Sequence, residues 1–356
     1  MRVRNTLSKT VTLFCSDSMY NRENLLCPVW DTDTMYFESL TFTDGESQLM
    51  FEADEIISFY DSHIEKEYKL DVDFTVENRK VKLLPKTEIF SFTSDELYPC
   101  EPIPGHSFPM GEKNILFYEE HFFHDRQYAI TYKIKKNTWE GHKPSSARGY
   151  IPATMQKLTR GEPLKVTLLG DSICVGANAS GFTGAQPFLP SFSGLLTEEL
   201  ENRFGSKIDF HNPSIGGKDS KWGAETVEEN VNFRKNDLVI ISLGGNDSFT
   251  PVETYLANIK HIIDRIKYVH PSTEIIIMSP TYANELLKGT FHGNQPLFID
   301  KMESLTGPGI ALADITNLQR ELLKHKRYID ITGNNINHPN DFFHRIIAQY
   351  MIAMFN

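Results

Sequence analysis

The feature that most constrains the fold is a regular alternation of short apolar runs and helical patterns after residue 160. Residues 238–243 are apolar apart from one serine, which is typical of a strand buried on both faces. Similar short runs cover residues 165–169, 208–211, 274–278 and 310–313. This alternation predicts a parallel sheet covered by helices on both faces, with functional loops at the carboxyl ends of its strands.

Helix signals between these runs support the same architecture. Thr250 and Glu253 have the spacing of a capping box, with Pro251 at the first helical position, and predict a helix to about residue 269. Further helical patterns cover residues 195–204 and 342–355. The second half of the chain is therefore predicted to be an α/β unit.

The first 150 residues have a different pattern, in which apolar and polar residues alternate within short runs separated by turn residues. The runs are residues 11–14, 35–42, 68–76, 80–84 and 129–134. Several short strands at this spacing, without a convincing helical pattern, predict an all-β sandwich or jelly roll.

A chain of 356 residues is long for one core, so two domains are expected. We predict a β-sandwich, jelly-roll-like accessory domain at residues 1–155 and an α/β domain at residues 156–356. Trp139, near the end of the first domain, could belong to a sugar-stacking surface. We favour a tryptophan in the core or at the domain interface.

Composition and charge exclude several classes of partner. The formal net charge is −11 and no clustered basic stripe is present, so nucleic acid is not expected as a partner. No apolar run approaches the roughly 20 residues that span a bilayer. The first 15 residues are interpreted as a strand and not as a secretory signal. We expect a cytoplasmic protein without a membrane partner, and the sequence leaves a homo-oligomer open.

The four cysteines give no sign of a metal site or a disulfide framework. They are far apart and lack ligand spacing with histidines: Cys15, Cys27, Cys100 and Cys174. Free thiols in a reducing compartment are the simplest interpretation. We expect no metal and no cofactor.

The first strand of the α/β unit ends abruptly in Gly170-Asp171-Ser172. By position alone, such a serine is ordinarily a turn or cap residue. Three later loops carry unusual residues: Gly216-Gly217 after the second strand, Gly244-Gly245-Asn246-Asp247 after the third, and Asn335-Ile-Asn-His338-Pro339 before the last helix. All of them fall at the same edge of the predicted sheet.

Acyl transfer by a serine needs a base, an orienter for that base and donors aimed at the developing oxyanion. Ser172 is the candidate nucleophile and His338 the candidate base. The backbone N–H groups of Gly217 and Ser172 and the side-chain amide of Asn246 are candidate oxyanion donors. Asp171 is interpreted as an acceptor for loop N–H groups. Taken singly, the glycine segments also fit tight turns, and His338 also fits a loop histidine.

Together these loops resemble the four sequence blocks of the SGNH (GDSL-type) hydrolases. The resemblance covers about residues 165–356 and implies a flavodoxin-like three-layer fold that hydrolyses esters through a serine acyl-enzyme. By position, Ser172 resembles the nucleophile, Gly217 and Asn246 the oxyanion donors, and His338 the base. A β-rich first half before such a domain is similar to two-domain carbohydrate acetylesterases that begin with a jelly roll.

One position departs from the family pattern. The family commonly has aspartate three residues before the histidine, and this chain has Asn335. An amide can accept a hydrogen bond from His338 but cannot offset imidazolium charge. Either a backbone carbonyl, such as that of Asn335, orients a Ser-His dyad, or Asp341 or Asp330 reaches the ring. We favour the dyad, because Asp341 is expected to cap the last helix, and we expect Asp341→Ala and Asp330→Ala to keep most activity.

The leading hypothesis is a metal-independent serine esterase that removes short acyl groups, chiefly acetyl, from carbohydrate or a similar polar substrate. A lipase or thioesterase of the same fold is the first alternative, and it would need a larger apolar acyl pocket. The second alternative is a catalytically attenuated carbohydrate-binding protein, in which Asn335 marks lost catalysis and the β-domain binds the sugar.

Overall fold

The computed structural model describes residues 18–356, and the first half of this range consists of antiparallel strands. They are β1 (Thr34–Thr41), β2 (Glu46–Gln48), β3 (Ala53–Asp61), β4 (Phe74–Glu77), β5 (Lys80–Leu83), β6 (Ser107–Met110), β7 (Lys113–Leu116) and β8 (Gln127–Ile134). The helical segments here are short: α1 (Arg22–Leu25), α2 (Ser94–Leu97) and a 3-10 turn at His124–Arg126.

These strands form small sheets in the orders β1-β8-β3 and β2-β5-β4, and β6 and β7 form a hairpin. The prediction of a β-rich first half is confirmed. The expected strand at residues 11–14 lies outside the described residues, and the strand expected at residues 68–76 is limited to β4. Sequence patterns missed β2, β3 and the hairpin. In β6 the reason is Pro109, because proline weakens a strand signal.

The second half alternates strands and helices as predicted. The strands are β9 (Leu164–Gly170), β10 (Ile208–His211), β11 (Leu238–Ser242), β12 (Glu274–Met278) and β13 (Ile310–Ala313). The α-helices are α3 (Pro152–Thr159), α4 (Ser172–Val175), α5 (Ser180–Thr183), α6 (Phe192–Phe204), α7 (Ser220–Val227), α8 (Val252–Val269), α9 (Gln295–Met302), α10 (Ile315–His325) and α11 (Asp341–Ala353). Single turns occur at Glu228–Asn232, Glu285–Leu287, Glu303–Leu305 and Tyr328–Asp330.

The five strands form one parallel sheet in the order β10-β9-β11-β12-β13. Successive connections run in opposite directions from β9, first to β10 and then back to β11. Such a switch point opens a crevice at the carboxyl ends of the strands, where open α/β sheets bind ligands. The loop after β9, which begins at Asp171, therefore lies at the most favourable position for a site.

The apolar run of β11 is continuous because the strand is covered on both faces. Leu238 and Ile240 belong to one hydrophobic cluster, and Val239 and Ile241 belong to the other. Successive side chains of a strand point to opposite faces, so a strand buried on both faces has no polar alternation. The predicted parallel sheet with helices on both faces is confirmed.

The predicted capping box at the start of α8 is wrong. The cap residue is Pro251, and it makes no side-chain cap hydrogen bond. The Thr250 hydroxyl instead donates to the carboxylate of Asp247. Because that carboxylate is buried and needs donors, it takes the hydroxyl that the sequence pattern assigned to the helix.

The two halves of the chain share one hydrophobic cluster. Trp139 is 6% exposed and lies beside Trp30 and, in a stacked arrangement, His325 of α10. The interpretation of Trp139 as a core or interface residue is confirmed. The domain boundary after residue 155 stays a prediction, and α3 runs across it.

A buried set of charges also joins the halves. Asp330 accepts a hydrogen bond from the backbone N–H of Thr41 in β1 at 2.9 Å and pairs with Arg327 at 2.9 Å. Lys326 bonds to Glu38 of β1 at 2.7 Å and lies 3.9 Å from Asp330. Although burial raises the pKa of Asp330, the nearby Arg327 and Lys326 outweigh burial and hold that pKa below its usual range.

Replacing Asp330 by alanine should therefore destabilise the protein. The change leaves Arg327 and the N–H of Thr41 without their buried acceptor, which costs about 3–5 kcal/mol when one partner of a buried pair is removed. Urea unfolding of the variant measures this cost. The control is Asp264→Ala, which breaks an exposed pair with Lys260 and should leave the free energy of unfolding nearly unchanged. Equal effects of the two substitutions would contradict the prediction.

Acidification should destabilise the fold through His344, which is fully buried in α11. Its Nδ1 accepts from the N–H of Phe192 and its Nε2–H donates to the carbonyl of Ala177, so the ring is neutral. Burial lowers the pKa of His344 to about 4 from 6.5. Between these values only the unfolded chain binds the proton, so about 3 kcal/mol of stability is lost as pH falls from 7 to 4.

The measurement for His344 is urea unfolding at pH 7, 5.5 and 4, for the wild type and for His344→Gln. The wild type should lose more free energy of unfolding over this range than the variant, because glutamine does not titrate. Parallel pH dependences of the two proteins would show that His344 contributes nothing to acid sensitivity.

Candidate active site

Ser172 is the first residue of α4, and Asp171 separates it from the end of β9. The Asp171 side chain caps this short helix by accepting the N–H of Ile173 at 3.0 Å. At Gly170, a Cβ would lie 2.3 Å from Cys174 Sγ and 2.7 Å from the carbonyl oxygen of Ser242, so only glycine allows this close turn. The turn brings the half-buried Ser172 hydroxyl to the carboxyl edge of the sheet.

The loop before α11 brings His338 to the same edge. The side-chain oxygen of Asn334 accepts the backbone N–H groups of Ile336, Asn337 and His338 at 3.0–3.1 Å, and this gives the loop a defined shape. The Nε2 atom of His338 lies 2.9 Å from Ser172 Oγ. Two residues 166 positions apart in the sequence are thus in hydrogen-bonding contact.

The other ring nitrogen of His338 faces two acceptors. Nδ1 lies 2.8 Å from Asn178 Oδ1 and 3.2 Å from Glu119 Oε2. The Asn178 amide nitrogen donates to the carbonyl oxygen of Gly333, which turns its oxygen toward the ring. Since both neighbours of Nδ1 accept, Nδ1 carries the hydrogen and the lone pair of Nε2 faces Ser172. This is the tautomer that a general base requires.

Glu119 belongs to the first half of the chain, in the segment that follows β7. Its carboxylate also accepts from the Asn334 side chain at 3.3 Å, and the Glu119 side chain is 46% exposed. Burial raises the pKa of Glu119, but the hydrogen bond and the charge of His338 outweigh burial and leave that pKa below its usual value. The group is therefore a carboxylate at neutral pH.

The structure places none of the three candidate orienters against the His338 ring. The Asn335 amide donates to the carbonyl of Leu116, and its own carbonyl accepts from Asn284. The preferred expectation, a dyad oriented by the Asn335 carbonyl, is therefore corrected. Asp330 lies in the buried charge cluster that joins the halves.

Asp341 is occupied elsewhere as well. It accepts the N–H of Ser180 at 2.7 Å. The cap of α11 is Asn340, which accepts the N–H of Phe343, so the expectation that Asp341 caps this helix is wrong. An asparagine at the cap position makes the same bond as an aspartate without adding a charge in the buried region.

The two candidate oxyanion loops lie beside each other. The Asn246 side chain donates to the carbonyl oxygen of Lys218 at 2.9 Å, which joins the loop after β11 to the loop after β10. Gly217 has a φ of 74°, a conformation that favours glycine. A Cβ on Gly216 would lie 3.7 Å from Ser172 Cβ, so this loop borders the serine. The donor roles of Gly217, Asn246 and the Ser172 N–H stay predictions.

Ser172 and Asn246 line the same cleft. Its lining combines polar and apolar groups and consists of Asp171, Ser172, Ile173, Gly245, Asn246, Thr281, Tyr282, Ala283 and Asn337. The serine, the candidate oxyanion amide and the loop of the base thus open onto one space.

Buried carboxylates support the loops around this cleft. Asp171 accepts N–H groups of Ile173 and Gly245, as expected of a structural acceptor, and burial raises its pKa to about 6. Asp247 accepts both the N–H and the hydroxyl of Ser220, and burial raises its pKa as well. These bonds hold the serine loop and the asparagine loop to their neighbours.

Within residues 18–356, no group of three or more His, Cys, Asp or Glu side chains is placed to hold a metal ion. No helix in the same range is both long and apolar enough to cross a membrane.

The sequence profile of the GDSL-like lipase/acylhydrolase family matches residues 168–346, which is half of the chain. The chain belongs to this family. The resemblance to SGNH (GDSL-type) hydrolases is thus confirmed. A search of curated protein sequences finds no match.

Solved structures with a similar fold include several esterases. A two-domain esterase active on acetylated mannans has a TM-score of 0.49 and 19% identity over 61% of this chain and 55% of its own. An acetylxylan esterase from Geobacillus stearothermophilus has a TM-score of 0.44 and 20% identity, and the match covers 56% of this chain and 96% of the esterase. An α/β hydrolase from the metagenome of Lake Arreo, Spain, has a TM-score of 0.45 and 19% identity, and the match covers 56% of this chain and 97% of the hydrolase. The GDSL-like chain thus spans about half the length of the two-domain esterase.

Proposed function

We propose that this GDSL-like hydrolase removes short acyl groups, chiefly acetyl, from carbohydrate or similar polar esters through an acyl-enzyme on Ser172. The observation that carries the proposal is the 2.9 Å contact between Ser172 Oγ and His338 Nε2, with the hydrogen of the ring on Nδ1. A serine next to a correctly oriented imidazole is the arrangement of an activated nucleophile.

In the proposed reaction, Ser172 Oγ attacks the ester carbonyl carbon while His338 Nε2 takes the hydroxyl proton. The N–H groups of Ser172 and Gly217 and the Asn246 amide stabilise the oxyanion of the tetrahedral intermediate. The imidazolium then protonates the departing alkoxide, which leaves as an alcohol. Water, deprotonated by His338, attacks the acyl-enzyme and releases the acid, and the proton returns to Ser172.

The cleft supports a short acyl group. Ile173 and Ala283 are the aliphatic side chains among the nine residues that line it. A long alkyl chain would gain little from such a surface, whereas a polar alcohol can form hydrogen bonds there. The carbohydrate acceptor rests further on the similarity of a β-rich first half plus hydrolase domain to two-domain carbohydrate acetylesterases.

Replacing Ser172 by alanine should remove hydrolysis of p-nitrophenyl acetate. Loss of the nucleophile is expected to lower kcat by about 10³-fold or more, because no other group can form the acyl-enzyme.

A fluorophosphonate should label the wild type and leave Ser172→Ala unlabelled. Equal hydrolysis rates would exclude Ser172 as nucleophile. Absent labelling of the wild type, with sugar binding retained, would favour a carbohydrate-binding protein.

A series of p-nitrophenyl esters tests the acyl group. We expect kcat/KM for the acetyl ester to exceed that for the octanoyl ester by about tenfold or more, since Ile173 and Ala283 offer the added methylenes few aliphatic contacts in the cleft. The comparison uses substrate concentrations below micelle formation. A preference for chains of eight or more carbons would instead assign a lipase or thioesterase.

A further inference from the structure

The carboxylate beside the candidate base comes from a different part of the chain than the rest of the site. Glu119 lies 219 positions before His338, and its Oε2 is 3.2 Å from His338 Nδ1. Its Oε1 accepts from the side chain of Asn334, the same residue that caps the backbone of the histidine loop. The carboxylate is thus bonded to both the ring and the loop that carries the ring.

Strand β7, which precedes Glu119, contacts the histidine loop through a hydrogen bond and through apolar packing. Asn335 donates to the carbonyl of Leu116 at 3.0 Å, at the end of β7. Ile115 of β7 and Ile336 of the loop belong to the same buried cluster. Strand β7 therefore places the backbone of the segment that carries Glu119 beside the histidine loop.

Asn178 and Glu119 share Nδ1 but differ in charge. The amide of Asn178 is the nearer acceptor at 2.8 Å and is sufficient to hold the hydrogen on Nδ1. A neutral amide, however, offsets little of the positive charge that His338 acquires when it takes the serine proton. The described residues provide one carboxylate in contact with this ring, Glu119.

We infer that Glu119 is a positioning residue that stabilises the imidazolium form of His338, so that the β-rich first half supplies part of the catalytic machinery. This inference rests on the proposed function. Asn178 keeps the hydrogen of the His338 ring on Nδ1, and Glu119 supplies the negative charge that offsets the imidazolium. The aspartate that the family commonly carries three residues before the histidine is replaced by a glutamate from the first half of the chain.

Glu119→Gln should lower kcat for p-nitrophenyl acetate by about 10- to 100-fold, the range of one charge-assisted hydrogen bond, with KM changed less than about twofold. In a serine protease triad, a substitution that leaves the histidine in the wrong tautomer lowers kcat by roughly 10⁴-fold. The loss in Glu119→Gln should be smaller, because Asn178 still accepts the hydrogen on Nδ1 of His338 and keeps the tautomer. Glu119→Asp, which keeps the charge on a shorter side chain, should recover part of kcat. Glu112→Gln, a charge removal at the exposed turn between β6 and β7, is the matched control and should resemble the wild type.

Formate separates a charge effect from a structural one. The Glu119 side chain is 46% exposed, so a small anion can reach its place in Glu119→Ala. We expect added formate to raise kcat of Glu119→Ala in a saturable manner. It should not raise kcat of the wild type or of Glu119→Gln, in which a side chain still fills the space. Urea unfolding of each variant reports any change in stability.

The outcomes distinguish this inference from the proposed function. If Ser172→Ala keeps its activity, the proposed function fails, and this inference fails with it. If Ser172→Ala is inactive while Glu119→Gln equals the wild type, the inference alone is overturned. A loss in Glu119→Ala that formate does not restore, or one carried by KM or by lower stability, assigns Glu119 a structural role and also overturns it.

Discussion

The buried carboxylate of Asp330 is the interaction on which much of the remaining structure depends. It binds the backbone of β1 and the charged side chains that precede the histidine loop. Nearby, the Asn340 amide donates to Ser39 and Gln127 of the first half. Separation of the two halves would break this set of bonds. It would be unfavourable, because polar groups that stay buried without a partner are costly in free energy. The position of His338 is thus determined by contacts outside the α/β unit.

The same principle organises the loops around the serine. Asp171 and Asp247 lie in surroundings that raise their pKa, yet each is retained because it satisfies several loop N–H or hydroxyl groups. Groups held in this way need little rearrangement when charge develops on the substrate, which is the main contribution that a protein makes to acyl transfer. Burial near the site therefore contributes to preorganisation as well as to stability.

The parallel sheet could be predicted from the sequence because strands buried on both faces are continuous apolar runs. Ser172 and His338 could be predicted because the loops that carry them lie at the same edge of that sheet. Glu119 could not be found in this way. It lies in a connecting segment without a local pattern, and its contact depends on how one half of the chain packs on the other. The capping box failed for a related reason, since a buried carboxylate bound the hydroxyl of Thr250.

The long separation between Glu119 and His338 has a consequence for the newly made chain. Protein synthesis proceeds from the amino terminus at about 5–20 residues per second, so the 219 residues that follow Glu119, up to and including His338, take about 10–45 s to add. Throughout that interval the serine loop can emerge, but neither the base nor its pairing with the carboxylate exists. A ribosome-bound fragment that ends before His338 therefore has no assembled site, and the Ser172–His338 and Glu119–His338 contacts form only after the histidine loop has been made.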